Sequence, residues 1–391
     1  RASVNTPYME VSMKESTVCV HSGSYPDLNE GGINTPIYLS SSHFFPHPSG
    51  ELRYPRFSNI PTQLAPAEKI ADLEHGEKCL VFSSGMAAIS TTFLALLAKG
   101  DHCVVQSEIY GGTHTFITRA LKDYGIGFSL VESNDVKAFE REITPKTKLL
   151  YIESPSNPLL RLVDVSKIAS VAKKQNIISV IDNTFATPIN QKPLDMGIDV
   201  VLHSGTKYLG GHSDIACGAV VSKKNMIDRI AETQKSFGGS LDCFSCYLLD
   251  RGLKTLALRV SRQSDNALKI ARWLGKSAKI EAVHYPGLPS HPDHGLARRQ
   301  MCGYGGMVTF TMKGSLEAAR IFTKGLSIIK GAVSLGGVES IICFPFETSH
   351  ARVKKEQREK MGIRDTTLRL SVGIEDPEDL IADLKQALES V

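Results

Sequence analysis

Six short runs of this sequence string apolar residues together rather than alternating them with polar ones: CLVFS at 79–83, HCVVQ at 102–106, LLYIE at 149–153, IISVI at 177–181, DVVLH at 199–203 and CGAVVS at 217–222. A strand with one wet face alternates apolar and polar residues, so unbroken runs predict strands covered on both sides. Parallel neighbours need long crossovers, and the stretches between the runs supply them: 86–98 (MAAISTTFLALLA) and 163–174 (VDVSKIASVAKK) carry apolar positions at helical spacing. The expectation is an α/β fold, a mostly parallel sheet packed between helices.

Residues 1–60 are polar and rich in Ser, Pro and Gly without sustained period, and are read as an arm lying on the body or on a neighbouring subunit. The sheet domain is expected over 61–250. Beyond it, helical stretches at 267–275 and 316–326, the strand MVTFTM at 307–312 and a terminal helix in PEDLIADLKQALESV predict a smaller α+β domain over 251–391. A chain of 391 residues exceeds the usual size of one core, which fits two domains and leaves room to bury a cofactor.

The net charge of +4 is mild and the Lys and Arg residues are dispersed, which gives no ground for nucleic-acid or membrane-surface binding. No run approaches the roughly 18 apolar residues of a membrane span. No secretory pattern leads the chain, and a cytoplasmic protein is expected. The sequence begins at Arg1 rather than Met, which is compatible with the removal of a leading segment. The eight cysteines are scattered, most of them in apolar runs, and are read as reduced core thiols. Cys243 and Cys246 make a single C-x-x-C without a second pair at zinc spacing, so no metal site is assigned.

Chemistry concentrates at strand ends. Lys207, in HSGTKYLGGHSD, follows the run DVVLH and precedes two glycines, which places it on a loop at the carboxyl edge of the sheet, where α/β sheets bind ligands. With Ser204 and Thr206 beside it, such a lysine suits imine formation with a phosphorylated carbonyl compound; the plain alternative is a surface lysine. Asp182 ends the run IISVI. There it could pair with a protonated pyridine nitrogen, or merely cap a turn. In SSGMAAIS a strand gives way to a helix at Ser84, Gly85 and Met86, and free N–H groups there form a site for a phosphate, although strand–glycine–helix turns are common. Tyr110, in EIYGGTH, follows another strand and offers a flat ring that could stack on an aromatic ligand and move protons, or simply belong to the core.

Together these segments resemble a known family. YPRFSNIPT, SSGMAA, YGGT, ESPSNP, IDNTFATP, SGTKYLGGHSD, RGLKTL, SLGGVES and LRLSVGIEDPEDL occur in the order found in the Cys/Met-metabolism enzymes that use pyridoxal 5'-phosphate (PLP): cystathionine γ-synthase, cystathionine γ-lyase, cystathionine β-lyase and methionine γ-lyase. The resemblance runs from about residue 17 to the end. It implies fold type I, similar to aspartate aminotransferase, and a homotetramer of two active dimers. It also implies Lys207 as the Schiff-base lysine, Asp182 as partner of the ring nitrogen and Tyr110 as the stacking ring. Ser84, Gly85, Met86, Ser204 and Thr206 would hold the phosphate, joined from a neighbouring subunit by Tyr54 and Arg56. Asn157 would contact the cofactor and the substrate carboxylate, which Arg369 would grip with help from Ser334.

The resemblance leaves the reaction open. Val333 stands where the γ-synthases and γ-lyases mostly have glutamate and methionine γ-lyases an apolar residue, and Gly111-Gly112-Thr113 follows Tyr110 where methionine γ-lyases resemble Tyr-Gly-Cys-Thr. Ile60 replaces the usual Asn of Asn-Pro-Thr, and FPFETSHA replaces a Met-Thr-His or Met-Ser-His segment. The expectation is a carbon–sulfur lyase acting on cystathionine or a related amino acid, with γ-synthase chemistry as the alternative, then methionine γ-lyase. A PLP-fold scaffold without catalysis is the reading from a different class.

Overall fold

The computed structural model describes residues 13–47, 50–351 and 353–391. Residues 1–12 and 48–49 of the expected arm lie outside the described residues. Seven strands form the first sheet: β1 (Lys78–Phe82), β2 (His102–Gln106), β3 (Gly127–Val131), β4 (Thr147–Glu153), β5 (Ile178–Asp182), β6 (Val200–His203) and β7 (Gly218–Ser222). Their order is β1-β7-β6-β5-β4-β2-β3. From β6 to β3 every pairing is parallel. β7 alone runs against both neighbours, β1 and β6.

The apolar runs are explained by two helical layers. Along β4 through β6, Leu149, Tyr151, Val180, Val200 and Leu202 face a core shared with Ile89 and Phe93 of helix Gly85–Leu96 and Ile227 and Ile230 of helix Lys224–Phe237. The intervening Leu150, Ile152, Ile181 and Val201 face the opposite core, with Ile70 and Leu73 of helix Pro61–Glu74 and Ile168 of helix Val165–Lys174. Each fully buried side chain of this kind stabilises the fold by roughly 1.5–3 kcal/mol. Ile152→Ala would open a cavity beside β4, an interior strand of the sheet, and cost about 2–5 kcal/mol.

Helix boundaries follow from capping groups. The helix expected over 163–174 begins two positions later because the Asp164 carboxylate caps it, accepting from the Lys167 N–H at 3.1 Å. The Ser84 hydroxyl does the same for Ala87 at 3.0 Å. In the arm, helix Glu15–His21 is only two turns long, too short to register as a period, yet its Cys19 is 1% exposed within the core. All eight cysteines are free, and only Cys302 is exposed.

A second sheet follows: β8 (Ile280–His284), β9 (Met307–Met312), β10 (Lys330–Gly331), β11 (Ile341–Cys343) and β12 (Thr367–Ser371), in the order β10-β11-β12-β9-β8. It is antiparallel except between β10 and β11. Helix Leu256–Leu274 packs against it and against the terminal helix Pro377–Glu389, whose cap is Asp376.

Candidate active site

The ends of β1, β2, β4, β5 and β6 lie on one edge of the first sheet because β7 reverses and then β1 resumes the common direction. Ser84 follows β1, Tyr110 follows β2, Asn157 follows β4, Asp182 closes β5, and Ser204, Thr206 and Lys207 follow β6. Ser334 and Arg369 come from the second sheet's region, Arg369 from β12 itself. A Cβ on Gly336 would lie 2.8 Å from the Tyr208 nitrogen, so the loop carrying Ser334 closes on the lysine backbone as only glycine permits.

Lys207 is tied at both ends. Its backbone N–H donates to the Ser204 carbonyl at 3.2 Å and its carbonyl accepts from Gly211 at 2.8 Å, which turns the chain tightly. Its Nζ donates to Ser334 Oγ at 2.7 Å. Burial, and then the Arg369 guanidinium, push the amine down to about 8, against the pull of Asp182. An amine so placed loses its proton readily and can act as a nucleophile or a base.

Asp182 and Glu153 stand opposite each other in register at the ends of β5 and β4. Burial raises both carboxyls above the usual range, and at Glu153 the charge of Asp182 adds to the rise. Asp182 is drawn back toward the anion by the Thr184 N–H and hydroxyl and by His203 and Lys207. The Thr184 N–H donates to Asp182 at 2.9 Å, and the Thr184 hydroxyl accepts from the Ser204 N–H at 2.8 Å, linking the acid to the lysine loop. Glu153 accepts the Tyr110 N–H at 3.0 and 2.9 Å and the Tyr151 hydroxyl at 3.0 Å.

Helix Gly85–Leu96 starts against the lysine loop. A Cβ on Gly85 would meet the Ser204 Cβ at 2.9 Å, so the helix start and Ser204 touch because residue 85 has no side chain. The Thr206 hydroxyl is anchored to Cys217, accepting from its N–H at 2.9 Å and donating to its carbonyl at 3.1 Å. The Tyr110 ring lies over Gly112 with Met86 Sδ at the same spot, which brings ring and helix start together. First-turn N–H groups beside two hydroxyls make a cradle for an anion.

Arg369 is 5% exposed and donates to Asn157 Oδ1 at 2.9 Å and to the Ser334 carbonyl at 3.2 Å. Among the described residues no carboxylate forms an ion pair with it. A buried guanidinium with only neutral partners is a ready position for a carboxylate ligand. Tyr54 and Arg56 go elsewhere in the same chain: Arg56 donates to the Lys235 carbonyl and lies over the rings of Tyr54 and Phe57.

Residues that sequence reasoning missed are Glu153, Thr184 and His203. Glu153 carried the same signal as Asp182, a carboxylate at the end of an apolar run. An amine of lowered pKa, a carboxylate across from it, an anion cradle and a flat ring at the cradle's rim fit a phosphorylated pyridine aldehyde.

A family model described as Cys/Met metabolism PLP-dependent enzyme matches residues 16–389. The chain is 44% identical to the cystathionine beta-lyase of Coxiella burnetii over 377 residues, covering 95% of this chain and 97% of that one. It is 42% identical to the cystathionine gamma-lyase of Bacillus subtilis over 382 residues, 97% of this chain and 100% of the relative. Among solved structures, cystathionine gamma-lyase from Lactobacillus plantarum complexed with L-serine superposes with a TM-score of 0.92 at 40% identity, covering 97% and 99% of the two chains. The metB protein of Corynebacterium glutamicum gives 0.92 at 39% identity, covering 97% and 98%.

Proposed function

The chain belongs to the Cys/Met metabolism PLP-dependent enzyme family, and from that premise we propose that it eliminates a thiol from cystathionine or a closely related sulfur amino acid. PLP is the family's cofactor, and it is an enzyme family of fold type I. When bound, PLP supplies an electron-accepting ring for charge that develops on the substrate's α carbon.

The chain's own residues divide the remaining work. Lys207 would hold the cofactor, and its amine, pushed down to about 8, is matched to moving the substrate's α proton under neutral conditions. Asp182 would pair with the ring nitrogen. Ser84, Gly85, Met86, Ser204 and Thr206 would hold the phosphate, and Tyr110 would stack on the ring and exchange a proton with the departing sulfur. Arg369 takes the substrate carboxylate, with Asn157 and Ser334 fixing its guanidinium. The observation that supports this most directly is Arg369 itself, buried between Asn157 and Ser334 without an anionic partner among the described residues.

Tyr54 and Arg56 complete a neighbour's phosphate site in the same reading. The arm around them leaves Ile33, Leu39, Phe44 and Phe45 at least 73% exposed, apolar surface suited to a second copy of the chain. A homotetramer of two active dimers, an arm–sheet–sheet division at residues 60 and 250, and a cytoplasmic setting belong to this proposal. Among the described residues no helix is long and apolar enough to cross a membrane.

Incubation with cystathionine tests the reaction. Release of pyruvate and homocysteine names β-elimination; 2-oxobutyrate and cysteine name γ-elimination. Formation of cystathionine from an activated homoserine ester and cysteine, without either release, would overturn the lyase in favour of the γ-synthase. A colourless protein that borohydride does not label at Lys207 would leave only the scaffold.

A further inference from the structure

Behind the sheet edge lies a buried carboxylate that the proposed chemistry does not use. Glu74 is the last residue of helix Pro61–Glu74 and is 0% exposed. Its Oε1 meets His203 Nε2 at 2.6 Å and accepts from Asn183 Nδ2 at 2.8 Å. Its Oε2 has no hydrogen-bond partner among the described residues. A carboxylate in an apolar interior is costly unless its contacts compensate, and here one oxygen collects both donors.

The two donors are not arbitrary. Asn183 is the residue directly after Asp182, and His203 is the residue directly before Ser204, which opens the Lys207 loop. The network continues: Gln191 Nε2 donates to Asn183 Oδ1 at 3.0 Å and to the Ser154 carbonyl at 2.9 Å, and Asn183 Nδ2 also donates to the Gln191 carbonyl at 3.0 Å. Ser154 directly follows Glu153 and leads to Asn157. The ends of β4, β5 and β6, which carry Asn157, Asp182 and Lys207, are thus joined through side chains anchored on Glu74. His203 also acts electrostatically on Asp182.

We propose that Glu74 is a positioning residue: through His203 and Asn183 it fixes the ends of β5 and β6 so that the acid and the amine meet the cofactor in a productive arrangement. The inference rests on the PLP reading above. A residue that aligns reacting groups alters turnover more than substrate capture, whereas a purely structural contact alters stability alone.

The test compares wild type with Glu74→Gln, which keeps the shape and removes the charge, and with Asn183→Ala, which breaks one tie and leaves Glu74 with His203. Measured quantities are kcat and KM for cystathionine per folded, cofactor-loaded subunit, the PLP dissociation constant by titration of apoprotein, and the bound cofactor's visible absorption maximum. Glu74→Gln is expected to lower kcat about tenfold, the scale seen when a group orienting an active residue is lost, with KM changed less than about twofold. The PLP dissociation constant should rise and the absorption maximum should move. Wild-type values of kcat, PLP affinity and absorption in Glu74→Gln, whatever its melting temperature, would overturn the inference and leave the proposed function standing. Where Glu74→Gln does not fold, Asn183→Ala decides: lowered kcat with unchanged KM supports the tie, and wild-type kinetics refute it. A wild-type protein that takes up no PLP would sink both.

Discussion

The amine of Lys207 donates to the hydroxyl of Ser334 at 2.7 Å, while the carbonyl of the same Ser334 accepts from Arg369 at 3.2 Å. One residue therefore parks the reacting amine and steadies the guanidinium proposed to grip the substrate. Ser334 does so at φ +82°, a conformation that favours glycine.

Ser334→Ala and Ser334→Gly should separate hydroxyl from backbone. Both lose the bond to Lys207, and kcat should fall about fivefold in each, the equivalent of one neutral hydrogen bond. Unfolding in denaturant should find Ser334→Gly more stable than Ser334→Ala by about 1 kcal/mol, since only glycine relieves the positive φ.

Lys207→Ala should lower turnover by at least about 10³-fold, because proton transfer by a positioned base contributes on that scale. The circular dichroism spectrum and subunit assembly should be those of wild type. Residual turnover within tenfold of wild type would contradict the role.

The cofactor-free protein should show the cost of a buried amine. Lys207 titrates near 8 in the fold and near 10.5 when unfolded. Between those values the unfolded chain binds more protons, so this group's contribution to stability rises with pH across that window and is lost as pH falls through it. Lys207→Met should accordingly be more stable than the wild-type apoprotein at pH 7, by about 3 kcal/mol, with the difference shrinking toward pH 10. Chemical denaturation at both pH values measures it.

Arg369→Leu should raise KM for cystathionine by about 10- to 100-fold through loss of a charge-assisted carboxylate contact. It should also move the ascending limb of the kcat profile, where Lys207 must lose its proton to act as a base, to higher pH, since the guanidinium is one of the groups holding that amine down. The pH dependence of kcat, with KM measured at each pH, reads both effects.

Gly85→Ala should weaken PLP binding without unfolding the sheet. The added methyl would press on Ser204 at 2.9 Å and displace either the helix start or the lysine loop. Equilibrium titration of apoprotein with PLP is expected to give a dissociation constant raised about tenfold, the equivalent of about 1.4 kcal/mol.

The positions of Lys207 and Asp182 were legible because each ends or directly follows an apolar run, and the run itself declares a strand. Arg369 was reached only through the resemblance, in the segment LRLSVGIEDPEDL. β3 was missed because an edge strand is only partly covered, and its pattern of exposed and half-buried residues dilutes the apolar signal. The reversal of β7 was illegible because an unbroken apolar run reads the same in either direction. Thr184 and His203 gave no local sign, since their significance lies in pairings with Asp182, Ser204 and Glu74. The contact between Glu74 and His203 spans 129 positions of sequence.

Arg369 belongs to β12 and its partner Asn157 to the loop after β4, so the hand proposed to hold a substrate and the bench proposed for the reaction are mounted on different sheets. Substitutions on β9 and β12 can alter how a molecule is held with little effect on the strand ends that carry Lys207 and Asp182, whereas the loop from Ser334 to Gly336 touches Lys207 and couples the two. Such an arrangement lets one scaffold diversify its diet of amino acids while its electron chemistry stays fixed.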